Sequence, residues 1–181
     1  MARRFLRIAH ALWIGFAIPT PPQPMPDSAL INDTIRKFGY PRSLVAEYRH
    51  WLVLLRPQQA TLGALVLACL GPATSFAQIP SAAHAELAET TAAIEATLAR
   101  AFKFDKINYL MLMMVDPQVH FHVLPRYGSP RSFEGQSFAD RGWPRLPDLT
   151  AAPELAPERF ERLRDHLRSL WPAQGQGLTP S

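Results

Sequence analysis

Apolar residues recur at changing intervals along this chain, and each interval predicts an element. Ile31, Ile35 and Phe38 fall on one side of a short helix that Ser28 can cap and that Gly39 and Pro41 end. Residues 44–48 and 51–55 are apolar, β-prone runs divided by Arg49 and His50, the pattern of a hairpin, and residues 56–59 follow as a loop. A third strand is expected over residues 62–69, after which Gly, Pro and Ser in residues 71–80 make a connector. Leu87, Ile94, Leu98 and Phe102 share one face among alanines, predicting the longest helix over residues 81–102. Residues 105–114 and 118–124 are apolar again on either side of Asp116 and Pro117, which predicts two strands joined by a tight turn. Residues 125–153 are rich in Pro, Gly and Arg and read as a long loop anchored by Phe133, Phe138 and Trp143. A last helix starts at Pro157, carries Phe160, Leu163, Leu167 and Leu170, and stops at Pro172. This order of helix, strands, helix, strands and helix predicts an α+β domain on an antiparallel sheet.

Length and composition narrow the class. A chain of 181 residues suits one domain, and a 48% hydrophobic, 19% charged composition is ordinary for a soluble globular protein. The formal charge of +4 comes almost wholly from arginine, since Lys37, Lys103 and Lys106 are the only lysines, and it suits an anionic ligand. The arginines are scattered and lack interleaved aromatics, so no nucleic-acid partner is expected. Cys69 is the single cysteine, which excludes an intrachain disulfide and fits a reducing compartment. Arg3, Arg4 and Arg7 before the apolar residues 8–18 resemble the first two regions of an export signal. A proline cluster stands where the cleavage site would be, and the run is shorter than the roughly 20 residues that span a bilayer. We therefore expect a disordered extension over residues 1–27, a domain over 28–127, a loop and helix packed on it over 128–171 and a tail over 172–181. No membrane partner is expected, and the expected location is cytoplasmic.

Candidate chemistry gathers around His120. Alternate side chains of a strand share a face, so Gln118, His120, His122 and Leu124 should point one way and Val119, Phe121 and Val123 the other, toward the core. The two histidines would stand roughly 6–7 Å apart along that line. An imidazole attacks phosphorus when one nitrogen is unprotonated and the other is held by an acceptor. The second histidine and the glutamine amide can donate to the nonbridging oxygens, where negative charge accumulates. The same pair can instead offer two nitrogens to zinc, which needs at least three protein ligands. Asp116, Glu47, His50 or His84 would supply the rest, and no spacing selects one. The other residues have plainer readings: Cys69 and Trp51 buried, His50 in the hairpin turn, His84 and His166 on exposed helix faces. Trp143 and Phe138 anchor the long loop over the site or pack against a second subunit.

His120-Phe121-His122-Val123-Leu124-Pro125-Arg126 resembles the core of the histidine-triad (HIT) signature. Ile35-Arg36-Lys37 before Tyr40-Pro41, then Leu44-Val45-Ala46-Glu47, is similar to the family's opening helix, turn and first strand, and Leu65-Val66-Leu67 to its Leu-Val-Ile strand. Asn108, twelve residues before His120, lies near the family's usual asparagine. The resemblance runs from Ala29 to Tyr127. It implies a HIT-like α+β fold, commonly a homodimer, that binds a nucleotide and cleaves at its α-phosphate without a cofactor. His120 would be the nucleophile that forms a nucleotidyl-histidine, with Gln118, His122 and Asn108 as phosphate contacts. Three positions depart from the pattern: Gln118 replaces the first histidine and cannot titrate near neutral pH, Gly63 replaces a histidine before the Leu-Val pair, and Arg56 aligns with the acidic residue that holds the ribose. The expected activity is that of a nucleoside-phosphate hydrolase or nucleotidyl transferase. The alternatives are a nucleotide-binding module with little turnover and a His-x-His metal protein.

Overall fold

The computed structural model describes residues 28–150 and 152–173; the N-terminal extension, residues 1–27, and residues 174–181 of the tail lie outside them. Five strands, β1 (Leu44–Glu47), β2 (Trp51–Leu55), β3 (Leu65–Cys69), β4 (Lys106–Leu110) and β5 (His120–Arg126), form one sheet in the order β1-β2-β3-β5-β4. Every neighbouring pair is antiparallel, so the α+β architecture is as the apolar pattern predicts.

Helix α2 (Ser81–Phe102) and helix α3 (Pro157–Leu170) cover one face of this sheet. Alternation along β2 and β3 sends Trp51, Val53, Leu55, Leu65 and Leu67 to that side, where they pack with Ile94, Leu98 and Phe102 of α2 and Leu163 and Leu167 of α3. Trp51 is fully buried and its indole N–H donates to the Ala83 carbonyl, 2.8 Å away, which satisfies its one polar atom. Cys69 is buried here too, and desolvation, aided by the charge of Glu86, pushes its thiol up to about 11. It is therefore a protonated core residue at neutral pH.

A much smaller element covers the other face. The opening helix α1 spans only Asp33–Lys37, and its cap is Asn32, whose side chain accepts from the Ile35 N–H. Ser28, the predicted cap, instead opens a 3-10 turn, Ser28–Leu30. The Asn32 amide also donates to the Cys69 and Gly71 carbonyls, at 3.0 and 2.7 Å, which anchors the start of α1 to the end of β3. Ile31, Ile35 and Phe38 then pack on Leu52, Leu54, Val66 and Ala68.

Several strand borders shift from the sequence expectation. β3 begins at Leu65 and not at residue 62, because Gly63 sits in a turn with φ +82°. A Cβ at Gly63 would stand 2.8 Å from the Phe102 ring, so the position is a close approach of the β2–β3 loop to α2. β4 stops at Leu110, and β5 starts at His120, leaving Gln118 in a bend before the strand. The long loop hides a hairpin, β6 (Arg131–Phe133) and β7 (Gln136–Phe138), whose turn residues Glu134 and Gly135 both have positive φ. Phe138 anchors it in the core, while Trp143 remains 37% exposed. Among the described residues no helix is long and apolar enough to cross a membrane.

Candidate functional site

β5 carries His120 and His122 on the face that α1 covers. In the ladder His120 stands opposite Ala68 and His122 opposite Val66, both members of the α1 cluster, while Val119 and Val123 belong to the α2 side. The alternation expected for the histidines is therefore the alternation found. Their ring centroids are 5.1 Å apart in a T-shaped arrangement. The sequence pattern suggested an open polar line, but His120 is 0% and His122 7% exposed. The cause is Phe38 at the end of α1, whose ring lies 5.6 Å from that of His120 and 5.5 Å from that of His122.

Hydrogen bonding fixes the orientation of His120. Its Nδ1 is 2.8 Å from the Gln118 backbone carbonyl, an acceptor only, so Nδ1 must carry the proton of that bond. In the neutral ring Nε2 is then left with its lone pair, and this buried atom has no hydrogen-bond partner. Nδ1 of His122 is likewise buried and unpartnered. Burial first, then the neighbouring charges of His120 and Arg56, lowers the pKa of His122 to about 4 against a weaker opposing effect of Asp116, so its ring is neutral at pH 7.

Gln118 serves the site through its backbone. Its side-chain oxygen accepts from the Thr34 hydroxyl at 2.6 Å, which ties the bend before β5 to α1. A second tie, the ion pair between Lys37 and Asp116 at 2.5 Å, joins the same two segments. Asn108 lies on the histidine face but opposite Leu124, two residues from Leu110, which faces His122. Its carbonyl oxygen accepts from Arg126, 2.7 Å away, and Arg126 is itself held by the buried carboxylate of Asp140. Asn108 borders a cavity of about 720 Å³ shared with Lys106, Leu110, Arg126 and Trp143.

Two residues of this face, Phe38 and Thr34, were not placed by sequence reasoning, and a third, Arg56, was placed only through the family resemblance. Phe38 reads as one more apolar helix position, and Thr34 carries no signal before α1 is docked on the bend. Arg56 extends the alternation of Leu52 and Leu54 onto the histidine face, and its N–H continues the ladder to the Ala64 carbonyl. It is only 9% exposed, and burial lowers the pKa of its guanidinium. Gly63 is directed at α2 and is no part of this face. His84 is exposed and touches Phe76, and His166 packs against Phe102 and Phe133. Among the described residues no group of three or more His, Cys, Asp or Glu side chains is placed to hold a metal ion.

No protein-family model matches the sequence, and no curated protein matches it. Solved structures do. A histidine triad protein from Sinorhizobium meliloti superposes with a TM-score of 0.61 at 18% identity, over 78% of this chain and 96% of the other. A histidine triad protein from Marinobacter aquaeolei gives 0.57 at 21% identity, over 71% and 87%. A hypothetical histidine triad nucleotide-binding protein from Sulfolobus tokodaii gives 0.57 at 19%, over 71% and 82%. The five-stranded sheet, its helices and the histidine-bearing strand of this chain thus make up the fold of the histidine-triad proteins.

Proposed function

We propose that the histidine face binds a nucleoside phosphate and cleaves it at the α-phosphate through His120. The supporting observation is the bond from His120 Nδ1 to the Gln118 carbonyl, which leaves an Nε2 lone pair directed away from that anchor. Nε2 forms a bond to phosphorus as the bond to the leaving group breaks and its electron pair departs with that group. Water then attacks the nucleotidyl-histidine, losing a proton to solvent, and the imidazole leaves with its lone pair restored. His122, neutral at pH 7, contributes an N–H to the phosphate oxygens, with the Gln118 amide as a further contact. Asn108 contacts the phosphate chain only if it exchanges its bond with Arg126. Because His120 Nε2 has no exposed surface, a phosphate reaches it only after Phe38 and α1 shift outward. The homodimer and the cytoplasmic setting implied by the sequence resemblance belong to the same proposal, with β4 as one of the two edge strands of the sheet.

Binding with little turnover is the second reading, and the glutamine at position 118 favours it. This amide supplies no proton to a leaving group, and its oxygen is engaged by Thr34. The deciding experiment incubates the protein with a panel of nucleoside phosphoramidates and dinucleoside polyphosphates beside His120→Ala. Turnover of at least one compound is expected, reduced at least about 1000-fold in the variant. Equal turnover by both proteins would remove His120 from the chemistry, and saturable binding without turnover would establish the second reading.

A further inference from the structure

Arg56 is a buried cation in search of a counter-charge. It is 9% exposed, yet none of the ion pairs among the described residues includes it. One of its terminal nitrogens donates to the Gln58 carbonyl, and its Nε is buried without a partner. A desolvated guanidinium left in this state is costly, because a buried charge is stable only when paired and fully hydrogen-bonded. Arg126 shows the usual solution in the same molecule: equally buried, it is gripped by both oxygens of Asp140, at 2.6 and 3.1 Å, and by the Asn108 and Arg145 carbonyl oxygens.

The backbone that carries Arg56 is held rigidly. The Gln59 amide, 1% exposed, donates to the Arg56 and Ala64 carbonyls at 2.6 and 3.1 Å and accepts from the Gly63 and Ala64 N–H groups at 2.8 and 3.1 Å. A side chain on so tightly built a loop is poised and does not swing out to find solvent at small cost. Its charge also helps to lower the pKa of His122, which is consistent with their shared face of the sheet. In the ladder Arg56 pairs with Ala64, one row past the Leu65–Val123 pair, which puts it on the His122 side of the site and away from His120.

We infer that Arg56 receives a second anionic group of the ligand, a phosphate joined to the one that His120 attacks, so that the substrates are nucleoside phosphates with an anhydride linkage. This rests on the nucleotide reading above and narrows it. The chemistry at position 118 agrees: a phosphate leaves an anhydride as a stable anion, whereas an amine leaving a phosphoramidate must gain a proton, which the Gln118 amide does not provide. An arginine is suited to such a group because its planar donors match phosphate oxygens in pairs.

Calorimetric titration with adenosine 5′-monophosphate and with adenosine 5′-(α,β-methylene)diphosphate, which cannot be cleaved at the α-phosphate, tests this on wild type and Arg56→Met. Wild type should bind the diphosphate analogue at least about tenfold more tightly than the monophosphate. Arg56→Met should lose that preference while its monophosphate affinity stays within about twofold, and its melting temperature should match or exceed that of wild type, since an apolar chain replaces an unpaired buried charge. Equal weakening of both ligands would assign Arg56 to the attacked phosphate, and unchanged affinities would make it structural; either result overturns the inference and leaves nucleotide binding standing. A wild-type protein without preference for the diphosphate overturns it with no variant needed. Wild type binding neither compound would overturn both this inference and the nucleotide reading.

Discussion

One face of the sheet lies under helices of 22 and 14 residues and is packed with aliphatic and aromatic side chains; the other lies under a helix of five residues and holds two histidines and an arginine with unpartnered buried atoms. The same strands build both, because alternation sends neighbouring residues to opposite sides. Apolar burial on the α2 side contributes roughly 25 cal/mol per Å² removed from water, whereas each unsatisfied polar atom on the α1 side subtracts from stability. The contrast is one of size and content: the large helices bury most of the apolar core, and the small one covers two histidines and an arginine. α1 is held by the Thr34–Gln118 hydrogen bond and the Lys37–Asp116 ion pair to the 116–118 bend, by the Asn32 bonds to the end of β3, and by a small apolar cluster.

The largest effect should come from the α2 side. Leu98→Ala, which empties a fully buried site, is expected to cost about 3 kcal/mol in urea unfolding. Ligand affinity per folded molecule should remain as in wild type, and a weakened affinity would break the division between the two faces. The next effect depends on pH and sharpens the account of the α1 side. His122 has its pKa lowered from the usual 6.5 to about 4 in the folded protein, so the unfolded chain binds more protons between these values. The stability it contributes is complete above pH 6.5 and is lost as pH falls toward 4, by about 2 kcal/mol between pH 7 and pH 5. His122→Phe should flatten that part of the stability profile, and an unaltered profile would show that His122 is hydrated and not covered. The smallest effect belongs to the clasp. Thr34→Val removes the hydroxyl that Gln118 accepts and is expected to cost about 1 kcal/mol. It should also speed modification of the histidine pair by diethyl pyrocarbonate, and an unchanged rate would mean that α1 is not what shields them.

Elements with strong periodicity were legible before any coordinates. The borders of β2, α2 and α3 match the sequence expectation, because each combines a sustained apolar spacing with a clear stop such as Pro172. The β6–β7 hairpin was not, since three-residue strands are too short to display a period and their turn is Glu134-Gly135, a pair that only its positive φ values reveal. At the candidate site the histidines were placed on the right face by alternation alone. Gln118 lies in the bend before β5 and not in the strand itself, yet its side chain still meets Thr34 of α1, the helix over the histidine face. Asn108 was assigned by counting residues, which carries no information on register, and the ladder puts it opposite Leu124. Arg56 was reached through the family resemblance, while Phe38 comes to the site through docking of α1, a relation that no local pattern encodes.

Positions 63 and 118 would accept a histidine to unequal degrees. Position 118 is a half-exposed bend whose side chain bonds to a threonine, so a histidine could be introduced there by a single replacement in an otherwise unchanged frame. Position 63 combines a left-handed backbone with a ring 2.8 Å from where a Cβ would stand. Restoring a side chain there would require Phe102 and the end of α2 to be rebuilt first. A redesign that adds a titrating side chain can therefore begin at position 118, while position 63 stays a glycine as long as Phe102 keeps its place.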